Sequence, residues 1–414
     1  MTAKKGFTTQ SIHTSLPEKD AYNSLHMPVY DGVAYEFDSS EDIEDAFLGK
    51  KIAHAYSRTS NPTVEYFELK LKNITQSNGV VALSSGMCAI SNTMLALVQR
   101  GENIVSSNHL FGHTYALLKN TIQSWGIEVR FVDMGNEEEV KNAIDENTRM
   151  LFFETITNPQ LEIVDIEKIS AIAHERDVVV VADTTVTPPY VFTSSDLGVD
   201  VEVMSTTKFI SGGAAAVGGA VVDNGTFDWE KVPALNKWVE SFQKNALIAR
   251  IRKEIFRHLG GCMTAHTAHF LNMGLDILAL RVDRCVQNCL DLGEFFTGEK
   301  QIVSVNYPGL ASHPGHELSK KQFSNKPGAV MTIDLGSKEE CYRFMDQLQI
   351  VRRATNLNDN KSLIIHPWST IYSEFSDDEK IEMGIRDTMM RLSVGIEDVN
   401  DLKADFSQAL ANLG

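Results

Sequence analysis

The stretch DVVVVAD at residues 177–183 decides the fold. Four valines in a row followed by alanine make a run too short for a buried helix and rich in β-branched side chains, which pack well on a pleated surface. No position in the run is polar, so a strand here must be covered on both faces, as happens where helices wrap a parallel sheet. The predicted strand covers residues 177–182 and delivers Asp183 at its downstream end. Between about residues 64 and 222 the same kind of run recurs as VVAL, NIVSS, VRFVD, MLFFET, VEVMS and GGAVV, separated by longer helical patterns. That alternation predicts an α/β fold built on a mostly parallel sheet. In open sheets of this kind ligands gather beyond the carboxyl ends of the strands, so the polar residues just after these runs are the ones to weigh.

At 414 residues the chain exceeds what one core usually supports. The expected division is an arm over residues 1–60, a large domain over 61–257 and a smaller C-terminal α/β domain over 258–414. The arm is turn-rich, with HMPVYDGVAYEFDSS and SRTSNPT, and arms of this type reach neighbouring subunits. The last part begins with the helical GLDILALRVDRCVQNCLDLGEFF and carries strands at VMTIDL and MRLSVGI. A composition of 43% apolar and 22% charged residues is ordinary for a globular protein, and a formal charge of -17 repels nucleic acid and anionic lipid. The opening MTAKKGFTTQSIHTS lacks the apolar core of a signal peptide, and no run is long enough to span a bilayer. The expectation is a cytoplasmic protein with neither nucleic-acid nor membrane partners. Five cysteines, an odd number without a clustered ligand set, read as reduced and not as a disulfide framework or metal site.

Three motifs follow strands. Lys208 ends Ser205-Thr206-Thr207-Lys208; a lysine facing the pocket end of a sheet can form a Schiff base, and the flanking hydroxyls can bind a phosphate, although a lysine after a strand is more often merely solvated. Asp183 can cap a turn, or can hold a pyridine nitrogen protonated so that the ring accepts electrons from an amino-acid Cα. Ser84-Ser85-Gly86-Met87 reads either as an ordinary turn or as a strand-to-helix corner whose free amides suit an anion. Phosphate cup, ring-nitrogen partner and Schiff-base lysine stand in a workable order on one sheet.

With these motifs the chain resembles the Cys/Met-metabolism family of pyridoxal-phosphate enzymes from about residue 10 to the end. The resemblance implies the type I, aspartate-aminotransferase-like fold and a homotetramer, a dimer of dimers with shared active sites. Tyr56 and Arg58, in AYSR ahead of Asn61-Pro62-Thr63, resemble residues that bind the cofactor phosphate of the neighbouring subunit. Gly86 and Met87 match phosphate-binding amides, Asp183 the ring-nitrogen partner, Thr185 the residue beside the ring, Ser205 and Thr207 the phosphate hydroxyls, and Lys208 the Schiff-base lysine. Asn158, in FFETITNPQ, matches an asparagine near the phenolic oxygen of the cofactor. Ser362 in KSLIIHP and Arg391 in MRLSVGIED match groups that hold the substrate carboxylate, Arg391 by its planar fork; taken alone Arg391 would read as a surface ion pair. His366 reads as structural.

One departure touches the chemistry. Phe111, in HLFGHTY, stands where most of the family stacks a tyrosine on the cofactor, so stacking survives and the catalytic position loses its hydroxyl. The expected activity is that of a homoserine-ester sulfhydrylase of trans-sulfuration and methionine biosynthesis, in which O-acetyl- or O-succinylhomoserine and sulfide or a small thiol give homocysteine or a thioether. A methionine or cystathionine γ-lyase, yielding 2-oxobutanoate and ammonia, is the alternative on the same scaffold, and a non-catalytic binding protein is a third.

Overall fold

All seven apolar runs become strands of one sheet: β1 (Gly79–Leu83), β2 (Asn103–Ser107), β3 (Glu128–Val132), β4 (Thr148–Glu154), β5 (Val179–Asp183), β6 (Val201–Met204) and β7 (Gly219–Asp223). They belong to a computed structural model that describes residues 5–16 and 20–413. Across the sheet the order is β1-β7-β6-β5-β4-β2-β3. The pairs from β6 to β3 are parallel, and β7 runs antiparallel to both of its neighbours. The mostly parallel α/β architecture is therefore as expected. The strand at DVVVVAD starts two residues later than predicted, because Asp177 adopts a positive φ of 56° in the turn after helix Ile166–His174 and cannot join a ladder.

β5 shows why this sheet is the frame of the molecule. Val179 and Val181 enter one hydrophobic core and Val180 and Ala182 the other, so alternate side chains are buried on opposite faces. A second sheet, ordered β10-β11-β12-β9-β8, is formed by β8 (Ser304–Asn306), β9 (Val330–Asp334), β10 (Arg352–Arg353), β11 (Leu363–Ile365) and β12 (Met389–Ser393). Helices Leu278–Thr297, Lys338–Gln347 and Val399–Ala411 pack with it, Phe296 meeting Phe406 edge-on at 4.8 Å. Of the N-terminal stretch, helix Phe7–Ile12 docks on the chain itself, with Ser11 Oγ donating to the Leu275 carbonyl at 3.0 Å. Helix Ser40–Phe47 buries nothing, and Ile43, Phe47, Leu48 and Ile52 lie open beside it. No helix among the described residues is long and apolar enough to cross a membrane.

Close backbone approaches fix the loops at the carboxyl edge. A Cβ on Gly219 would lie 2.0 Å from the Ser85 carbonyl oxygen, so only glycine lets β7 pass under the start of helix Gly86–Leu97. Gly274, in helix Ala265–Asp276, plays the same part for the turn at Phe209–Ser211, where an added Cβ would stand 2.0 Å from the Ile210 carbonyl oxygen. Substitution of Gly274 by Ala should destabilise the fold by about 1–3 kcal/mol through forced separation of these backbones, seen as a lower urea midpoint at unchanged slope.

Candidate active site

β4 and β5 end side by side, with Glu154 paired to Asp183, and β6 ends in the segment that leads to Lys208. The start of helix Gly86–Leu97 and residues from the second sheet close over these ends to enclose a cavity of about 660 Å³. Ten of the residues picked out in the sequence line it together: Gly86, Met87, Phe111, Asn158, Asp183, Thr185, Ser205, Thr207, Lys208 and Arg391.

Lys208 is carried on the connection between the antiparallel neighbours β6 and β7. Thr207 Oγ1 donates to the Gly218 carbonyl and accepts from the Gly218 amide, both at 3.1 Å, which locks the connection at its neck. Ser211 Oγ donates to the carbonyls of Thr207 and Lys208 at 2.8 and 3.1 Å. The Lys208 amine donates to Asn356 Oδ1 at 2.7 Å. Burial, aided by the positive Arg391 and opposed by Asp183 and Asp359, pulls the amine down to about 8, so an appreciable fraction is unprotonated near neutral pH.

Asp183 accepts the Thr185 amide at 2.9 Å, and Thr185 Oγ1 in turn accepts the Ser205 amide at 2.8 Å. Burial raises the Asp183 carboxyl, against the hydrogen bonds of Thr185 and the charge of Lys208. Glu154 is fully enclosed, accepting the amides of Phe111 at 2.6 Å and Asn158 at 3.1 Å. Burial first, and the Asp183 charge second, push it up to about 8. Two acids so close in a low-dielectric setting invite a cation between or beside them.

At the other end of the cavity Ser85 caps helix Gly86–Leu97 by accepting the Cys88 amide at 3.1 Å. Helix geometry leaves the amides of Gly86 and Met87 without intrahelical acceptors, and the Ser205 side chain lies against Gly86. This is an anion cradle. From the second sheet comes Arg391, 2% exposed, with Nη1 on Asn158 Oδ1 at 3.1 Å and Nη2 on the carbonyls of Thr355 and Asn356 at 3.1 and 3.2 Å. Its Nε is buried without a partner among the described residues. Burial brings its guanidinium down to about 10, which leaves it cationic at neutral pH.

One expectation meets a different placement, and two concern residues expected to serve a neighbouring subunit. Ser362 does not line the cavity: its hydroxyl donates to Glu397 at 2.9 Å and accepts the Gly395 amide at 2.9 Å, in the segment that follows β12. Asn356, which the sequence does not single out, stands closer to the cavity's charged groups, its side-chain oxygen accepting from Lys208 and its backbone carbonyl from Arg391. Tyr56 and Arg58 lie outside this chain's own cavity. Arg58 donates to the Arg257 carbonyl at 2.7 Å with its guanidinium 5.5 Å from the Tyr56 ring, and the tyrosine is 43% exposed.

The family model for Cys/Met metabolism PLP-dependent enzymes matches residues 8–411. The chain belongs to this family. Among solved structures, a Campylobacter jejuni protein described as an O-acetylhomoserine (thiol)-lyase superposes with a TM-score of 0.93 at 33% identity, covering 98% of this chain and 100% of its own, and holds N'-pyridoxyl-lysine-5'-monophosphate. The O-acetylhomoserine sulfhydrylase of Wolinella succinogenes is 44% identical over 86% of this chain and 99% of its own, with a TM-score of 0.78. The L-methionine gamma-lyase of Pseudomonas putida is 34% identical, over 98% of this chain and 97% of its own. The fold is the type I fold of this family.

The residues present fit the family's cofactor, pyridoxal phosphate. The free amides at Gly86 and Met87 suit its phosphate and Asp183 suits a cationic ring nitrogen, while the buried Arg391 Nε has no partner among the described residues. Because the Lys208 amine is held near 8, the rate at which pyridoxal phosphate added to the stripped protein produces a visible absorption band should rise about tenfold per pH unit below 8 and level off above it. An ordinary lysine would keep rising past pH 10, and Lys208→Ala should give no band and no turnover.

Proposed function

We propose that this chain catalyses γ-replacement on an activated homoserine ester, O-acetyl- or O-succinylhomoserine, exchanging the acyloxy group for sulfide or a small thiol to form homocysteine or a thioether. The observation that carries the reading is that Lys208, an amine partly unprotonated near neutral pH, and Arg391, whose Nε has no partner among the described residues, line a single cavity. That is the minimum apparatus for gripping an amino acid by its carboxylate while moving protons at its Cα. Likeness to a sulfhydrylase at 44% identity, against 34% for a lyase, favours replacement over elimination.

Bound pyridoxal phosphate supplies the electron sink that makes the Cα–H bond of an amino acid acidic. The residues do the rest. Arg391 and Asn356 orient the α-carboxylate and thereby aim Cα–H at Lys208. Lys208 Nζ takes the Cα proton, then serves Cβ so that the ester can leave from Cγ, and returns both protons in reverse order. Gly86, Met87, Ser205 and Thr207 would hold the phosphate, Asp183 the ring nitrogen, Asn158 the phenolic oxygen, Thr185 one flank of the ring, and Phe111 would stack on it. Methionine γ-elimination is a second reading, since a full-length relative carries that name.

The wider organisation belongs to the same proposal: a cytoplasmic homotetramer with an arm over residues 1–60, a cofactor domain over 61–257 and a C-terminal domain over 258–414. The exposed Tyr56, the neighbouring Arg58 and the uncovered helix Ser40–Phe47 support arms that serve an adjacent subunit.

Incubation of the loaded enzyme with O-acetylhomoserine or O-succinylhomoserine and sulfide should consume the ester and form homocysteine, whereas 2-oxobutanoate and ammonia from methionine without added thiol would establish the lyase instead. Arg391→Lys should lower kcat/KM for the ester on the order of 10²-fold, because one point charge cannot replace a desolvated fork.

A further inference from the structure

With Phe111 in place, no phenol among this chain's described residues lines the cavity, and one imidazole stands beside it. His113 lines the cavity, its ring edge-on to that of Phe111 with centroids 5.1 Å apart. Its backbone is fixed from three directions. The Phe111 amide is held by Glu154, and the amides of Thr114 and Tyr115 close back on the Phe111 carbonyl at 2.8 and 3.0 Å. Gly112 abuts the segment that follows β11, where a Cβ would lie 3.0 Å from the Ile371 carbonyl oxygen. That segment is pinned in turn by the Tyr372 hydroxyl, which donates to the carbonyls of Leu110 and Asn158 at 3.1 and 3.2 Å. Thr370 and Ile371 line the cavity with His113, so all three belong to the same wall.

The other titratable groups of the cavity are already engaged. Lys208 is on Asn356, Arg391 on Asn158 and the two carbonyls, Glu154 on two amides and Asp183 on Thr185. His113 is exposed, and neither ring nitrogen has a hydrogen-bond or ion-pair partner among the described residues. Imidazole is the side chain suited to taking up and releasing a proton near neutral pH.

We propose that His113 is the base that relieves the incoming thiol of its proton. The assignment rests on the γ-replacement reading. In sum that reaction turns a thiol and an ester into a thioether, a carboxylate and one proton. The S–H proton passes to an imidazole nitrogen while the sulfur electron pair forms the bond to Cγ. The Cγ–O bond breaks with its electron pair on oxygen, so the acid departs already ionised and takes no proton with it. The imidazolium then gives its proton to water at the open side of the wall. An exposed position is what this route requires, and it keeps the thiol's proton apart from those that Lys208 shuttles.

The test compares ethanethiol with 2,2,2-trifluoroethanethiol, nearly the same size but far more acidic, on the loaded wild type and His113→Gln with O-acetylhomoserine and O-succinylhomoserine. The substitution should cut kcat/KM for ethanethiol on the order of 10²-fold and leave trifluoroethanethiol much less affected, with the visible band of the bound cofactor unchanged. In protein labelled at histidine Cε1, one imidazole resonance missing from the variant should move when ethanethiol is added. Equal losses with both thiols, or no loss with either, would overturn the assignment. A wild type that turns over neither ester with either thiol would instead refute the γ-replacement reading.

Discussion

Burial of one sheet on both faces is the constraint from which the rest follows. With Val179 to Ala182 pointing alternately into two separate cores, β5 has no room for a polar group along its length, and the same holds for the middle of β4. On β4 and β5 the polar residues at the carboxyl side come only where the strands run out, and parallel register makes the two run out together. Glu154, Asp183 and the segment ending in Lys208 are neighbours for that reason. Their unusual acid–base properties share the cause, since desolvation raises the two carboxyls and lowers the amine.

This also explains what could be read without coordinates. Apolar runs of fixed length survive in sequence, so all seven strands and the residues after them were legible, down to the Gly86 corner and the Lys208 connection. Groups whose placement depends on irregular backbone were not. Asn356 lies in a loop with no periodicity to mark it, and an asparagine there resembles any turn residue. Ser362 misled because it immediately precedes β11, where one step of register decides which side a hydroxyl faces, and here it faces Glu397. Glu154 closes an apolar run much as a turn cap would; its two amide partners, four residues away and 43 residues away, are tertiary facts.

The two sheets are joined through polar contacts as well as packing. Arg281, in helix Leu278–Thr297, is 4% exposed, and its guanidinium donates to the Phe209 carbonyl at 2.5 Å, to Asn360 Oδ1 at 2.5 Å and to the Asn358 carbonyl at 3.3 Å. Burial lowers its affinity for a proton, so the three acceptors matter to it as much as it matters to them. It ties the turn behind Lys208 to the loop that carries Asn356. Sequence shows only an arginine in a helical pattern, where the ordinary expectation is an exposed ion pair.

That tie makes the lysine and the carboxylate grip a single calliper. With the gap between its jaws set by backbone on both sides, the proposed chemistry would measure the part of a substrate common to every α-amino acid. The remaining lining includes Ile156, Val186, Val217 and Leu357, apolar side chains that would leave what is attached, or exchanged, less strictly defined. A frame that fixes one end of its substrate and leaves the other loosely bounded can host replacement and elimination alike, and this chain's relatives carry names of both kinds.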